Sequence, residues 1–197
     1  MLDEKFAIVS AILIVVGDLA YLTQTIKGKN KPNKVTWFFW AFAPLLAFAA
    51  QIDQKIFWPS LLTLSSGLVA LFIFFASFRN KNANWKITKF DIICGGLALL
   101  GLILWQITKV GNIAIAFSIL ADGAAALPTI KKAYLVPETE TWFTFFMDTI
   151  SSIILLLTLK TWNFANTAFS LYLLISCGTL FLLIRFRIGE KISKIIN

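Results

Sequence analysis

No lysine or arginine falls inside any of seven long apolar stretches of this chain: Phe6–Ile26, Val35–Asp53, Ile56–Phe78, Phe90–Thr108, Val110–Ile130, Trp142–Leu159 and Trp162–Ile184. A helix needs about 20 such residues to cross the hydrocarbon of a bilayer. Lipid admits only helices and closed barrels as spanning structures, because no water is there to satisfy an exposed backbone. The runs lack the period-two alternation of barrel strands, so they predict seven transmembrane helices. Composition agrees: 58% of the residues are hydrophobic, 14% are charged and the mean hydropathy is +0.80, where a soluble domain carries about a quarter charged residues. The first stretch follows Met-Leu-Asp-Glu-Lys, which has no basic leader region, and is expected to span rather than to be cleaved.

The breaks between the stretches are short and hold most of the charge, so neighbouring helices are expected to run antiparallel. Lysine and arginine then sort by side. One side collects Lys27, Lys29, Lys31, Lys34, Arg79, Lys81, Lys86, Lys89, Lys131, Lys132, Arg185, Arg187, Lys191 and Lys194; the other holds Lys5, Lys55, Lys109 and Lys160. The basic side is expected to be cytoplasmic, with the N-terminus outside and the C-terminus inside. The net charge of +8 is therefore an orientation signal with some attraction to anionic headgroups. Its scatter over several membrane-proximal segments argues against a nucleic-acid partner. The expected location is the cell (inner) membrane of a prokaryote.

The sequence also echoes itself. Asp18 precedes Thr25-Ile26-Lys27 as Asp122 precedes Thr129-Ile130-Lys131, and Pro32 with Thr36-Trp37-Phe38 returns as Pro137 with Thr141-Trp142-Phe143. An echo at about half the chain length marks a duplicated structural unit. Two three-helix units in direct succession would lie inverted; an intervening fourth helix turns the second unit over again. The chain is expected to hold a first three-helix repeat over 1–80, a linker helix over 81–109, and a second three-helix repeat with a short basic tail over 110–197. In such membrane proteins the binding site lies between the halves.

This 3+1+3 plan, with its motif at the end of the first helix of each repeat, resembles the SWEET and PQ-loop membrane proteins. The family pattern is a Pro-Gln dipeptide, a short basic loop and the second helix. The first copy here, Tyr21-Leu22-Thr23-Gln24-Thr25-Ile26-Lys27, keeps Gln24; the second, Ala126-Leu127-Pro128-Thr129-Ile130-Lys131-Lys132, keeps Pro128. The resemblance implies a transporter fold with a central pathway between two bundles. It leaves the substrate open, since the family includes sugar carriers, amino-acid carriers, vitamin transporters and a cargo receptor.

Three acids sit deep within the stretches, away from their ends. Asp18 and Asp122 each lie about 12 Å from the basic end of their helices and Asp148 about 9 Å, at 1.5 Å per residue. No span offers a basic partner, and an ionised carboxylate at that depth is costly. Three explanations stand: a protonated acid, a water-filled cavity, or a cation arriving from outside as a proton, a sodium ion or a substrate amine. The alternative is that hydrogen-bonded acids simply pin two bundles together.

Pro128 and Pro44 are prolines inside spans, each either a hinge or a fixed bend. Trp37, Trp142, Trp58 and Trp162 open helices where interfacial aromatics anchor at headgroup depth. Trp40, one turn further in, is the better candidate for facing a solute. Thr63 and Ser65 recur as Thr167 and Ser170, and with Asn166 they either line a path or bond helix to helix. The expected pathway residues are thus Asp18, Asp122, Asp148, Gln24, Trp40, Thr63, Ser65, Asn166 and Ser170.

Nothing points to an enzyme or a cofactor. There is no histidine, which removes the usual zinc ligand and general base, and no phosphate loop or nucleophile elbow occurs. Cys94 and Cys177 lie in apolar runs and read as small buried residues rather than a disulfide. The sequence-based expectation is a transporter of a small polar solute, a sugar or an amino-acid-like molecule, working by alternating access and proton-coupled through buried aspartate. A non-transporting receptor or assembly subunit on the same scaffold is the alternative. Two repeats in one chain make a monomer sufficient and leave a homo-oligomer open.

Overall fold

The computed structural model describes residues 2–79, 85–108 and 111–196, with the backbone alone at 101, 102, 105, 106, 108, 195 and 196. Lys81 and Lys109 of the charge tally, and the side chain of Trp105, lie outside the described residues. Eight α-helices follow in order: α1 (Phe6–Ile26), α2 (Lys34–Asp53), α3 (Trp58–Arg79), α4 (Lys89–Thr108), α5 (Gly111–Leu135), α6 (Trp142–Thr158), α7 (Phe164–Phe186) and α8 (Ile188–Ile196). Among the described residues, α1, α2, α3, α5 and α7 are long and apolar enough to cross a membrane, and α6 is a shorter apolar helix of 17 residues. Large apolar side chains such as Phe72, Ile92 and Ile175 point outward, as a lipid-facing surface requires.

Local chemistry sets the helix ends. Asn33 accepts from the N–H groups of Val35 (3.0 Å) and Thr36 (3.3 Å) to start α2, and Asn163 accepts from Asn166 N–H (3.0 Å) to start α7. Gly28, at φ 69°, turns the chain after α1. Arg187, at φ 49°, breaks α7 from α8.

The helix contacts pair off. α1 lies against α6 as α5 lies against α2; α1 and α2 both pack on α3 as α5 and α6 both pack on α7; α4 covers α5 and α2. In lipid no hydrophobic force draws helices together, so close approach and hydrogen bonds do the work. At Gly17 an added Cβ would stand 2.7 Å from Met147 Cβ, so α1 and α6 touch there nearly backbone to backbone. Ser10 Oγ donates to Ser151 O and Ser151 Oγ to Ser10 O, both at 2.7 Å, and Thr144 Oγ1 donates to Gly17 O at 2.8 Å. Across the matching α2–α5 seam Thr36 Oγ1 donates to Ala125 O (2.7 Å) and itself accepts from Thr129 Oγ1 (3.0 Å).

Six predicted stretches match their helices to within two residues at either end. The seventh does not: α5 ends at Leu135, five residues past the expected Ile130. Pro128 costs this helix one hydrogen bond but does not end it, and the charge of Lys132 is answered inside the fold. Pro128 is therefore an interior residue with two further turns after it. The 3-10 turn at Pro137–Thr139 and the amphipathic α8 were also not anticipated.

Candidate functional site

Asp18 from α1, Asp122 from α5 and Asp148 from α6 line one cavity of about 30 Å³. The rest of its wall is Ile14, Trp37, Trp40, Ser66, Ala70, Phe145, Leu173, Ser176 and Cys177, with no lysine or arginine. The volume holds roughly two water molecules, at about 10–15 Å³ for each. It is too small for a sugar or an amino acid.

The three carboxyl groups are unequally satisfied. Tyr172 Oη, from α7, donates to Asp122 Oδ2 at 2.5 Å and leaves Oδ1 without a partner. The Cys177 thiol approaches Asp148 Oδ2 at 3.8 Å, a weak contact, and Asp148 Oδ1 has no partner. Asp18, 4% exposed, has no hydrogen bond or ion pair through its carboxyl group among the described residues. Burying an ionised carboxylate is costly unless donors or a cation compensate. The arrangement therefore offers oxygens to a proton or a cation, and Trp40 adds an unpartnered indole N–H to the same wall. No group of three or more His, Cys, Asp or Glu side chains among the described residues is placed to hold a metal ion.

Aromatic rings close the cavity toward the basic end. Trp37 and Trp40 stand edge to face at 5.1 Å, Trp40 and Phe145 at 6.1 Å, and the Tyr21 ring lies 4.6 Å from Trp37. Trp37 is 2% exposed. The expectation that it anchors α2 at headgroup depth is thus corrected: its ring packs against Tyr21 of α1 and Trp40 and lines the cavity, so the indole turns into the protein. Trp142 is exposed and carries Arg185 over its ring, and Trp162 is exposed, as interfacial residues are.

Beyond the aromatic layer lies a buried polar network that no sequence signal singled out. Tyr21 Oη donates to Glu140 Oε2 at 2.6 Å, and Lys132 Nζ pairs with Glu140 Oε1, both side chains fully buried. Lys132 Nζ also donates to the carbonyl of Lys31, and Lys31 N–H donates to Thr139 O at 2.9 Å. Asn30 Nδ2 donates to Tyr21 O (3.2 Å) and Thr141 Oγ1 (3.3 Å). The α1–α2 loop is thus tied to the end of α5 and to the α5–α6 loop. At the opposite end a wider depression of about 320 Å³ opens between Lys55, Trp58, Lys160 and Asn166.

Of the expected pathway residues the fold brings Asp18, Asp122, Asp148 and Trp40 together at the cavity. Thr63 donates to Gln51 Oε1 (2.8 Å) and to Ser60 O (2.9 Å), a tie between α3 and α2 away from the cavity wall. Ser65 donates to its own helix at Leu61 O (2.8 Å). Asn166 lines the far depression and Ser170 is buried in α7 outside the cavity lining. Gln24 is half-buried at the end of α1, where its carbonyl accepts from Lys29 N–H. Pro44 is buried inside α2, and Pro128 lies in α5 between Asp122 and Lys132.

The chain gives no significant match to a family model, a curated protein or a solved structure.

Proposed function

We propose that the chain is a membrane transporter of a small polar solute, a sugar or an amino-acid-like molecule, moved by alternating access and driven by proton binding at the buried aspartates. In this reading seven helices span the bilayer as two parallel three-helix repeats, α1–α3 and α5–α7, with α4 as linker in the SWEET-like manner and the basic end in the cytoplasm. The observation that carries it is the meeting of three acids, from three helices of both halves, at one cavity that has no basic residue in its wall. Acids that merely pinned the bundles would each be capped by donors across a seam, whereas Asp122 and Asp148 each keep a buried oxygen without a partner.

The paired helix contacts support the two-repeat reading, since α1–α6 and α2–α5 are the two interfaces a pseudo-two-fold would exchange. A proton entering the cavity neutralises a carboxyl group and lowers the cost of keeping the site dry, so proton loading and closure reinforce each other.

Counterflow in proteoliposomes with pooled radiolabelled sugars and amino acids, with and without a proton gradient, tests the proposal. Exchange that accelerates with the gradient supports it. Absence of exchange for every pool, together with a stable complex with a second membrane protein, favours a receptor or assembly subunit instead.

A further inference from the structure

The buried network at the basic end has a form that static packing does not require. Its members come from opposite halves of the chain: Tyr21 and the Lys31 carbonyl from α1 and the α1–α2 loop, Lys132 and Glu140 from α5 and the loop after it. The ion pair itself lies within the second half; the bonds that cross the seam are those of Tyr21 Oη to Glu140 and of Lys132 Nζ to the Lys31 carbonyl. Water takes up these polar and charged groups readily once the seam parts. Pro128 sits in α5 between the cavity acid Asp122 and the latch base Lys132, so a change of bend there moves Lys132 relative to Glu140 while the cavity half of the helix stays in place. Tyr21 joins the two levels, with its hydroxyl on Glu140 and its ring on Trp37, which lines the cavity.

We propose that Lys132, Glu140 and Tyr21 form the gate at the basic end: closed here, it seals the aspartate cavity from that side, and it opens by separation of the α1–α2 loop from the α5–α6 loop. This regulates the cavity of the transport reading and rests on that reading for what passes through. The gate itself is tested without any solute.

Cys177, whose side chain lines the cavity, is a natural reporter. A charged thiol reagent confined to the basic face of sealed proteoliposomes reaches it only when the gate opens, and modification is read by peptide mass. A Lys31→Cys/Thr139→Cys pair places a reducible bridge across the seam where the two backbones already bond. The expected result is that the bridge lowers modification of Cys177 from the basic face at least about tenfold, and that reduction restores it. Glu140→Gln raises that rate about tenfold over wild type, equivalent to ~1.4 kcal/mol in the opening equilibrium, without raising it from the opposite face. If the bridge and Glu140→Gln both leave the rate from the basic face unchanged, the gate is overturned. If Glu140→Gln fails to fold, the bridged and reduced pair decides alone. Labelling that responds while counterflow is absent for all solutes sinks the transport reading and leaves the gate standing; counterflow with unresponsive labelling does the reverse.

Discussion

Tyr172 and Asp122 are joined across α7 and α5 by a 2.5 Å hydrogen bond that uses one carboxyl oxygen and leaves the other bare toward the cavity. The phenol thus fixes the rotamer of the acid and cushions half of its burial. Tyr172→Phe strips the acid of its donor in a dry setting, which costs about 1–3 kcal/mol. The expected outcome is a lower midpoint of thermal unfolding in detergent, with the Asp122→Asn/Tyr172→Phe double variant losing less than the two single losses combined. Strict additivity would show that the bond is not energetically coupled.

Asp122→Asn keeps an acceptor for the Tyr172 hydroxyl, so the fold is expected to persist. On the proposed reading it removes a group that takes the proton. Solute uptake by this variant is expected to stop responding to an imposed proton gradient, measured in the same proteoliposomes as wild type. A wild-type pH response would take Asp122 out of proton coupling.

Lys132 and Glu140 are a fully buried pair. Removing one partner strands the other charge, so Lys132→Ala and Glu140→Ala are each expected to destabilise by about 3–5 kcal/mol, whereas Lys132→Met/Glu140→Leu recovers most of that loss. Unfolding in detergent reads the difference. A double variant as unstable as either single one would contradict the pairing.

The approach of α1 to α6 depends on Gly17. A side chain there meets Met147 Cβ at 2.7 Å and the Thr144 carbonyl at 3.2 Å. Gly17→Leu is expected to cost at least about 1–3 kcal/mol through overpacking. Gly96→Leu, where an added Cβ meets nothing within 4 Å, is expected to be neutral or stabilising, since leucine is the better helix former. Equal effects at the two sites would mean that α1 and α6 are not in contact at Gly17.

Much of the helical plan was legible because lipid imposes one rule on every span: apolar side chains outside, no stranded charge. Asp18 and Asp122 stood out for the same reason, as the exceptions. Lys132 did not, because a lysine just past an apolar run reads as the start of a loop. Its burial depends on Glu140 arriving from the next loop and on α5 carrying through Pro128, and neither is a local property of the sequence. Tyr172 and Tyr21 were missed because a tyrosine in an apolar stretch carries no charge and neither has an aromatic counterpart at the matching place of the sequence echo. Trp37 was misread because position along a helix sets depth but not which face turns inward; that is decided by partners from elsewhere in the chain, here Tyr21 of α1.

The central claim is that the three aspartates meeting at one cavity mark the transport pathway. Counterflow by wild type and by the Asp18→Asn/Asp122→Asn/Asp148→Asn variant, reconstituted at equal density and checked for equal thermal stability, tests it most directly. The account predicts exchange of at least one pooled solute by wild type and a loss of at least about a hundredfold in the variant, or ~3 kcal/mol in the limiting step. Exchange by the variant at the wild-type rate would contradict it.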